Sequence, residues 1–211
     1  LLEPAESAEI YADLGWGLKM RAKASARKRS TSDDVSNIGA CGWAELSSLW
    51  DKIGGQPRKR IAGWSSGKAF EHLILRAFQL SGAEIIWPYA VNLHGAVVEQ
   101  IDGMVLLDGI ACMVEAKDQQ ANVNVEPLAK LRNQLLRRPA GVIGCVFSSS
   151  GFTDPAVTLA HDMAPHAILL WQGPEIGFLL ERQDFADALR RKYRVLMQHG
   201  KPDFDPRAGV L

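Results

Sequence analysis

The sequence predicts an α/β fold in which a mixed β-sheet is flanked by helices on both faces and preceded by an N-terminal arm. Three observations carry that expectation. Helical apolar spacing over 67–82 leads into runs rich in β-branched and aromatic residues, Asp108-Gly109 supplies a two-residue hairpin signal, and helices alternate with apolar runs from Glu126 to Trp171. The alternation implies crossover connections and the hairpin an antiparallel pair, so the sheet is mixed.

From Leu1 to about Ser66 the pattern is poor. Basic residues crowd Lys19 to Arg29, the polar stretch Ser30 to Asp34 follows, and the segment reads as an arm or linker. Within it Trp43, Leu46, Leu49, Trp50 and Ile53 recur at helical spacing, which predicts a short amphipathic helix stopped by Gly54-Gly55. Arg58, Lys59 and Arg60 form a second basic cluster that could meet phosphates or be a solvated turn, the latter being the favoured reading.

Regular structure is expected from Gly67. Phe70, Leu73, Ile74, Ala77, Phe78 and Ser81 line one helix face, ended by Gly82. Ala83 to Val91 reads as a strand, and Val97 to Leu107 and Ile110 to Lys117 as two more joined at Asp108-Gly109. Apolar flanks argue against a turn at Asp102-Gly103. Glu126 to Arg138 is the next helix, with Leu128, Leu131 and Leu135 facing inward, Lys130, Gln134 and Arg138 along another face, and Pro139 as terminator. Gly141 to Phe147 reads as a buried strand, Asp154-Pro155 as a helix start, Ala167 to Trp171 as the last strand, and Arg182 to Gln198 as a C-terminal helix. The expected organisation is an appendage over 1–66, a core over 67–181, and a basic amphipathic helix and tail over 182–211.

At 211 residues and 47% hydrophobic content the chain can bury a substantial core. Lys plus Arg balance Asp plus Glu at 24 each, so no global positive field announces a nucleic-acid partner and such contact needs local clustering. Cys41, Cys112 and Cys145 show no paired spacing, and no apolar run reaches bilayer length, which point to a reducing cytoplasm and no membrane. The chain opens on Leu1, so the domain count at that end stays open.

The chemistry concentrates in Asp102, Glu115 and Lys117, which stand among apolar residues. Residues two apart on a strand share a face, so Glu115 and Lys117 lie together while Val114 and Ala116 point the other way. The hairpin holds Asp102 on the neighbouring strand. Carboxylate oxygens suit a hard divalent ion such as magnesium, and a lysine beside them can orient or help deprotonate water, the parts that phosphodiester hydrolysis needs. The competing reading is an internal ion-pair cluster, since an unpaired buried carboxylate is costly.

Asp102 followed, after twelve intervening residues, by Glu115-Ala116-Lys117 resembles the PD-(D/E)XK nuclease superfamily. A second segment, Gly141 to Ala156 with its Ser150-Gly151-Phe152-Thr153 run, followed by Ala167 to Gly173, resembles the Mrr-like restriction endonuclease branch. The resemblance spans Gly67 to about Glu181 and implies a restriction-endonuclease-like core. It implies that Asp102 and Glu115 bind the metal and Lys117 assists the water. Glu71 matches a glutamate often found on the first helix and joins the metal set, and Gln134 is a helper on the helix after the strand pair. Many Mrr-like proteins have glutamine where Glu115 stands, and Ile101 replaces the proline before the aspartate.

The expected activity is therefore a Mg2+-dependent endonuclease acting on DNA, with Mn2+ as a substitute, RNA a less favoured target, and a role in restriction or antiviral defence. Alternatives are a non-catalytic nucleic-acid-binding or assembly module, and a repair or recombination nuclease. Residues 1–66, with Trp43 and Trp50, are where a second copy or partner subunit would dock, although both tryptophans fit equally against the chain's own core. His72, His94, His161, His166 and His199 lack zinc spacing and read as surface or turn groups. Ser148, Ser149 and Ser150 lack a nucleophile elbow and read as backbone or phosphate hydrogen-bonding groups. The basic residues of the last helix, Arg182, Arg190, Arg191, Lys192 and Arg194, read as a solvated face or as a phosphate-neutralising border of the cleft.

Overall fold

Five strands form the central sheet in the computed structural model, which describes residues 38–54, 61, 64, 67–87, 89–93, 96–163 and 165–208. In chain order the elements are α1 (Trp43–Gly54), α2 (Lys68–Leu80), β1 (Glu84–Ile86), β2 (Tyr89–Leu93), β3 (Ala96–Ile101), β4 (Gly103–Leu107), β5 (Ile110–Lys117), α3 (Val125–Leu135), β6 (Val142–Ser148), α4 (Asp154–His161), β7 (Ile168–Trp171), α5 (Gly173–Arg182) and α6 (Phe185–His199). The sheet runs β1-β4-β5-β6-β7, and β2 and β3 pair separately as a two-stranded ribbon. β1, β4 and β5 are antiparallel, whereas β5, β6 and β7 are parallel through the α3 and α4 crossovers. The mixed sheet expected from the sequence is present.

The hairpin follows from its turn residues. Asp108 and Gly109 take φ of 49° and 82°, the positive pair that a tight turn matching strand twist requires, and Leu107 pairs with Ile110 across it. Pleat alternation then sends Cys112 and Val114 to one face, where they pack with Phe70, Phe78, Ile176 and Phe185 of α2, α5 and α6. Met113 goes to the other face and meets Leu128 and Leu131 of α3 and Ala156 of α4. β6 and β7 are buried along their whole length, as strands covered on both faces must be.

Two expected strands are each divided. The run read from Ala83 to Val91 gives β1 in the main sheet and β2 in the ribbon, and the run from Val97 to Leu107 gives β3 and β4, broken at Asp102. Apolar residues continue across both breaks, so the sequence carries no mark of the change from one sheet to the other. The bend at Asp102 also corrects the expectation of a continuous strand there. The α3 helix stops at Leu135, before Pro139, with Leu136 as its C-cap, and the helix expected from Arg182 starts at Phe185.

Helix α1 docks on the core as expected. Trp43 stacks on Phe185 at 6.3 Å, Trp50 lies 6.0 Å from Phe70, and a side chain at Gly177 would meet Trp50 Nε1 at 2.9 Å, so α5 approaches the indole closely. Both tryptophans thus serve this chain's own packing. Lys192 departs further from expectation: it is wholly buried, pairs with Glu175 at 2.8 Å, bonds the Phe204 carbonyl and lies 4.8 Å from the Trp171 ring centre. It belongs to the core and not to a solvated face. The basic clusters over 19–29 and 58–60 lie outside the described residues.

Candidate active site

Asp102 sits where the β4/β5 ladder ends. Gly103 pairs with Val114, and a side chain at Gly103 would lie 2.7 Å from a methyl of Leu75, so glycine lets α2 press onto the bend. Beyond that pair Ile101 belongs to the ribbon instead of continuing opposite Ala116. The Asp102 carboxylate takes over the vacant acceptor position: Ala116 N–H donates to its Oδ2 at 2.8 Å. One hydrogen bond therefore ties Asp102 to the backbone between Glu115 and Lys117.

Glu115 and Lys117 lie on the α3 side of β5, as alternation requires. Glu115 is 1% exposed, and its charge is met by Lys117 Nζ at 2.5 Å from Oε1 and by Lys130 Nζ at 3.1 Å from both oxygens. Lys130 comes from α3, which reaches the sheet because β6 has glycine below it: a side chain at Gly144 would lie 2.8 Å from Leu131 and 2.9 Å from Ile168.

Glu71 lies buried on α2, one turn from Lys68, with which it forms an ion pair, and it accepts from Trp87 Nε1 at 3.0 Å. It is neither a solvated glutamate nor a carboxylate with vacant oxygens. Its charge nonetheless reaches the centre. Burial first, then the charges of Glu115 and Glu71, push Asp102 up to about 6, against the opposing pull of the Ala116 N–H and Lys68. Three carboxylates are thus electrostatically joined. Gln134, one turn beyond Lys130, is buried with Oε1 lacking a hydrogen bond, and it makes no hydrogen bond or ion pair to Asp102, Glu115 or Lys117.

Asp102 offers the kind of oxygen donor that a hard divalent cation takes. Among the described residues Asp102 Oδ1 takes no hydrogen bond, its carboxylate is disfavoured as an anion by its acidic neighbours, and added positive charge would relieve both conditions. As they stand, no three or more His, Cys, Asp or Glu among the described residues gather into a metal-holding group. Glu115 is occupied by two ammonium groups, and Glu71 by Lys68 and Trp87.

The family model described as restriction endonuclease, Mrr_cat, matches residues 64–180, more than half of the 211-residue chain. This chain belongs to that family. No curated protein matches it. Among solved structures, the small subunit of the heterodimeric restriction endonuclease R.BspD6I is similar at 11% identity and a TM-score of 0.47, over 77% of this chain and 91% of its own. The DNA modification-dependent restriction endonuclease AspBHI is similar at 16% identity and a TM-score of 0.42, over 89% of this chain and 48% of its own, so the chain spans about half its length. A protein of unknown function, AF1548, is similar at 17% identity and a TM-score of 0.44, over 62% of this chain and 76% of its own.

Within this Mrr_cat domain the serine-rich segment acts on the backbone. Ser149 N–H donates to the Lys117 carbonyl at 3.1 Å, Ser150 Oγ to the Ala121 carbonyl at 2.8 Å, and Ser148 Oγ to the Gly151 carbonyl at 2.9 Å. These bonds clasp the loop after Lys117 and fix the end of β5. Lys130 was missed by sequence reasoning, which saw it only as the start of a polar helix face. That face leads from Glu115 past buried Gln134 to Arg138, whose guanidinium lies 5.9 Å from the Tyr89 ring centre.

The histidines divide. His72 is buried between Trp64 and Trp87, at ring separations of 5.2 Å and 4.3 Å, and His166 is also buried, which corrects their reading as surface groups. Burial and then the Lys68 charge hold His72 down to about 4. His161 and His199 are exposed, and His94 lies outside the described residues.

Proposed function

We propose that this chain is a magnesium-dependent endonuclease that hydrolyses phosphodiester bonds in DNA, with manganese able to replace magnesium, and that it acts in restriction of foreign DNA. The observation that carries the proposal is the joining of Asp102, Glu115 and Lys117 at the end of one hairpin within a restriction endonuclease family domain. Asp102 and Glu115 would hold the cation, with Glu71 setting the field from behind Lys68 and Trp87. When bound, the cation supplies polarisation of the scissile phosphate and a lowered pKa for water.

The chain's own residues do the rest. Ala116 N–H holds Asp102 against the backbone between Glu115 and Lys117, and from there it would share the cation with Glu115. Lys117, part-exposed and hydrogen-bonded to Glu115, presents its ammonium to an attacking water and offsets negative charge developing on the phosphate. Burial of Glu115 strengthens both effects by excluding competing solvent. Gln134 would serve as a helper only after a rotation that gives its buried Oε1 a partner.

The test is incubation of wild type and Asp102→Ala with supercoiled, linear, branched and single-stranded DNA and with RNA, in magnesium, manganese or chelator. The proposal expects metal-dependent cleavage of DNA by wild type alone. Equal cleavage by the variant would contradict the site assignment, and folded wild type inert on every substrate would favour a binding or assembly module. Preference for branched DNA would instead indicate a repair or recombination nuclease.

A further inference from the structure

Glu115 has two lysines where its chemistry needs one. Lys117 bonds Oε1 only, at 2.5 Å, while Lys130 lies 3.1 Å from both Oε1 and Oε2, so Oε2 is held by Lys130 alone among the described residues. The two lysines also differ in exposure and in the element that carries them. Lys117 belongs to a paired central strand and its side chain is 31% exposed, whereas Lys130 reaches in from a helix on a long stem that is 51% exposed. Withdrawing Lys130 into water therefore uncovers Oε2 without disturbing the bond that aims Lys117.

We propose that Lys130 is a positioning residue that acts as an internal counter-cation: it holds Glu115 in place in the metal-free protein and competes with the divalent cation for Oε2. The inference rests on the reading of Asp102 and Glu115 as metal-binding groups and adds the regulation of that site. A carboxylate that is 1% exposed cannot stand unpaired without a large desolvation penalty, so a resident cation keeps it folded inward until a stronger one arrives. An ammonium on the ligand oxygen opposes the incoming ion by charge repulsion and by occupying its place. Removing that ammonium therefore tightens metal binding.

The experiment is calorimetric titration of Mn2+ into wild type, Lys130→Ala, Lys130→Arg and Asp102→Asn, with thermal melts of each protein in chelator. Lys130→Ala is expected to bind Mn2+ roughly five- to tenfold more tightly than wild type, the scale of one unit charge removed at a partly solvated site. It is also expected to melt lower than wild type in chelator, because Glu115 loses a partner. Lys130→Arg restores wild-type affinity, and Asp102→Asn abolishes the binding. Equal or weaker Mn2+ binding by Lys130→Ala, with binding still dependent on Asp102, overturns the counter-cation and leaves the metal site standing. Absence of Mn2+ binding in both wild type and Lys130→Ala, or binding that Asp102→Asn leaves unchanged, overturns the metal reading itself, and the counter-cation with it.

Discussion

Asp102 keeps its proton up to about pH 6 in the metal-free protein because it is largely buried and stands near two other carboxylates. Its pKa is raised above the ordinary 3.8, so the unfolded chain releases the proton first. The stabilisation is full below the unfolded value and is lost as pH rises through about 6. Between those limits Asp102 withdraws up to about 3 kcal/mol of stability, and Asp102→Asn, which keeps an acceptor for the Ala116 N–H, should not show that loss. Melts of both proteins in chelator from pH 4 to 7 read the difference, and parallel curves would refute it. His72 acts in the opposite sense. Its pKa is depressed to about 4, so its stabilisation is present above the unfolded value near 6.5 and disappears as pH falls through 4. His72→Phe should therefore melt higher than wild type at pH 4 relative to their difference at pH 7. At this scale the sequence exposed Asp102, Glu115 and Lys117 because charged groups in apolar strands are unusual. Lys130 stayed hidden because a lysine on a helix has the same spacing whether it meets water or a carboxylate.

Helix α3 carries Lys130, and Gly144 sets how closely that helix lies on the sheet. The methyl of Gly144→Ala would run into Leu131 and Ile168, both fully buried, so the substitution should cost about 1–3 kcal/mol. It should also lengthen the reach from Lys130 to Glu115, seen as a lower melting temperature together with altered Mn2+ affinity. Wild-type values for both would show that the contact relaxes freely. The elements themselves were largely legible, since the β4/β5 hairpin follows from Asp108-Gly109 and α2 from its apolar stripe. The breaks at Asp102 and after Ile86 were not. Alternation reports that a residue is buried, not which of two sheets buries it. Lys192 illustrates the same limit: its basic neighbours Arg190, Arg191 and Arg194 on α6 are part-exposed or exposed, and only the fold reveals Glu175 opposite it.

The two faces of the sheet divide the work of the molecule. The face under α1, α2, α5 and α6 is the main apolar mass, with Phe78 edge-on to Phe147, Trp171 and Phe185, and it contains the Glu175–Lys192 pair. Burial raises the Glu175 pKa and lowers that of Lys192, so neither charge tolerates the loss of the other. Lys192→Ala should destabilise the whole domain by roughly 3–5 kcal/mol, whereas Glu175→Gln combined with Lys192→Met should cost less than the single change. A double variant no more stable than Lys192→Ala would contradict that account. The opposite face, under α3, carries Glu115, Lys117 and Lys130, and the end of β5 is where the chemistry is proposed to occur.

The most direct test of that central claim is single-turnover cleavage of supercoiled plasmid in magnesium by wild type and Asp102→Asn, with melts run on the same samples. The account predicts an Asn variant at least as stable as wild type near neutral pH and at least about 1000-fold slower, a loss of roughly 4 kcal/mol in the barrier to reaction. A folded Asp102→Asn protein that cuts at the wild-type rate would contradict it.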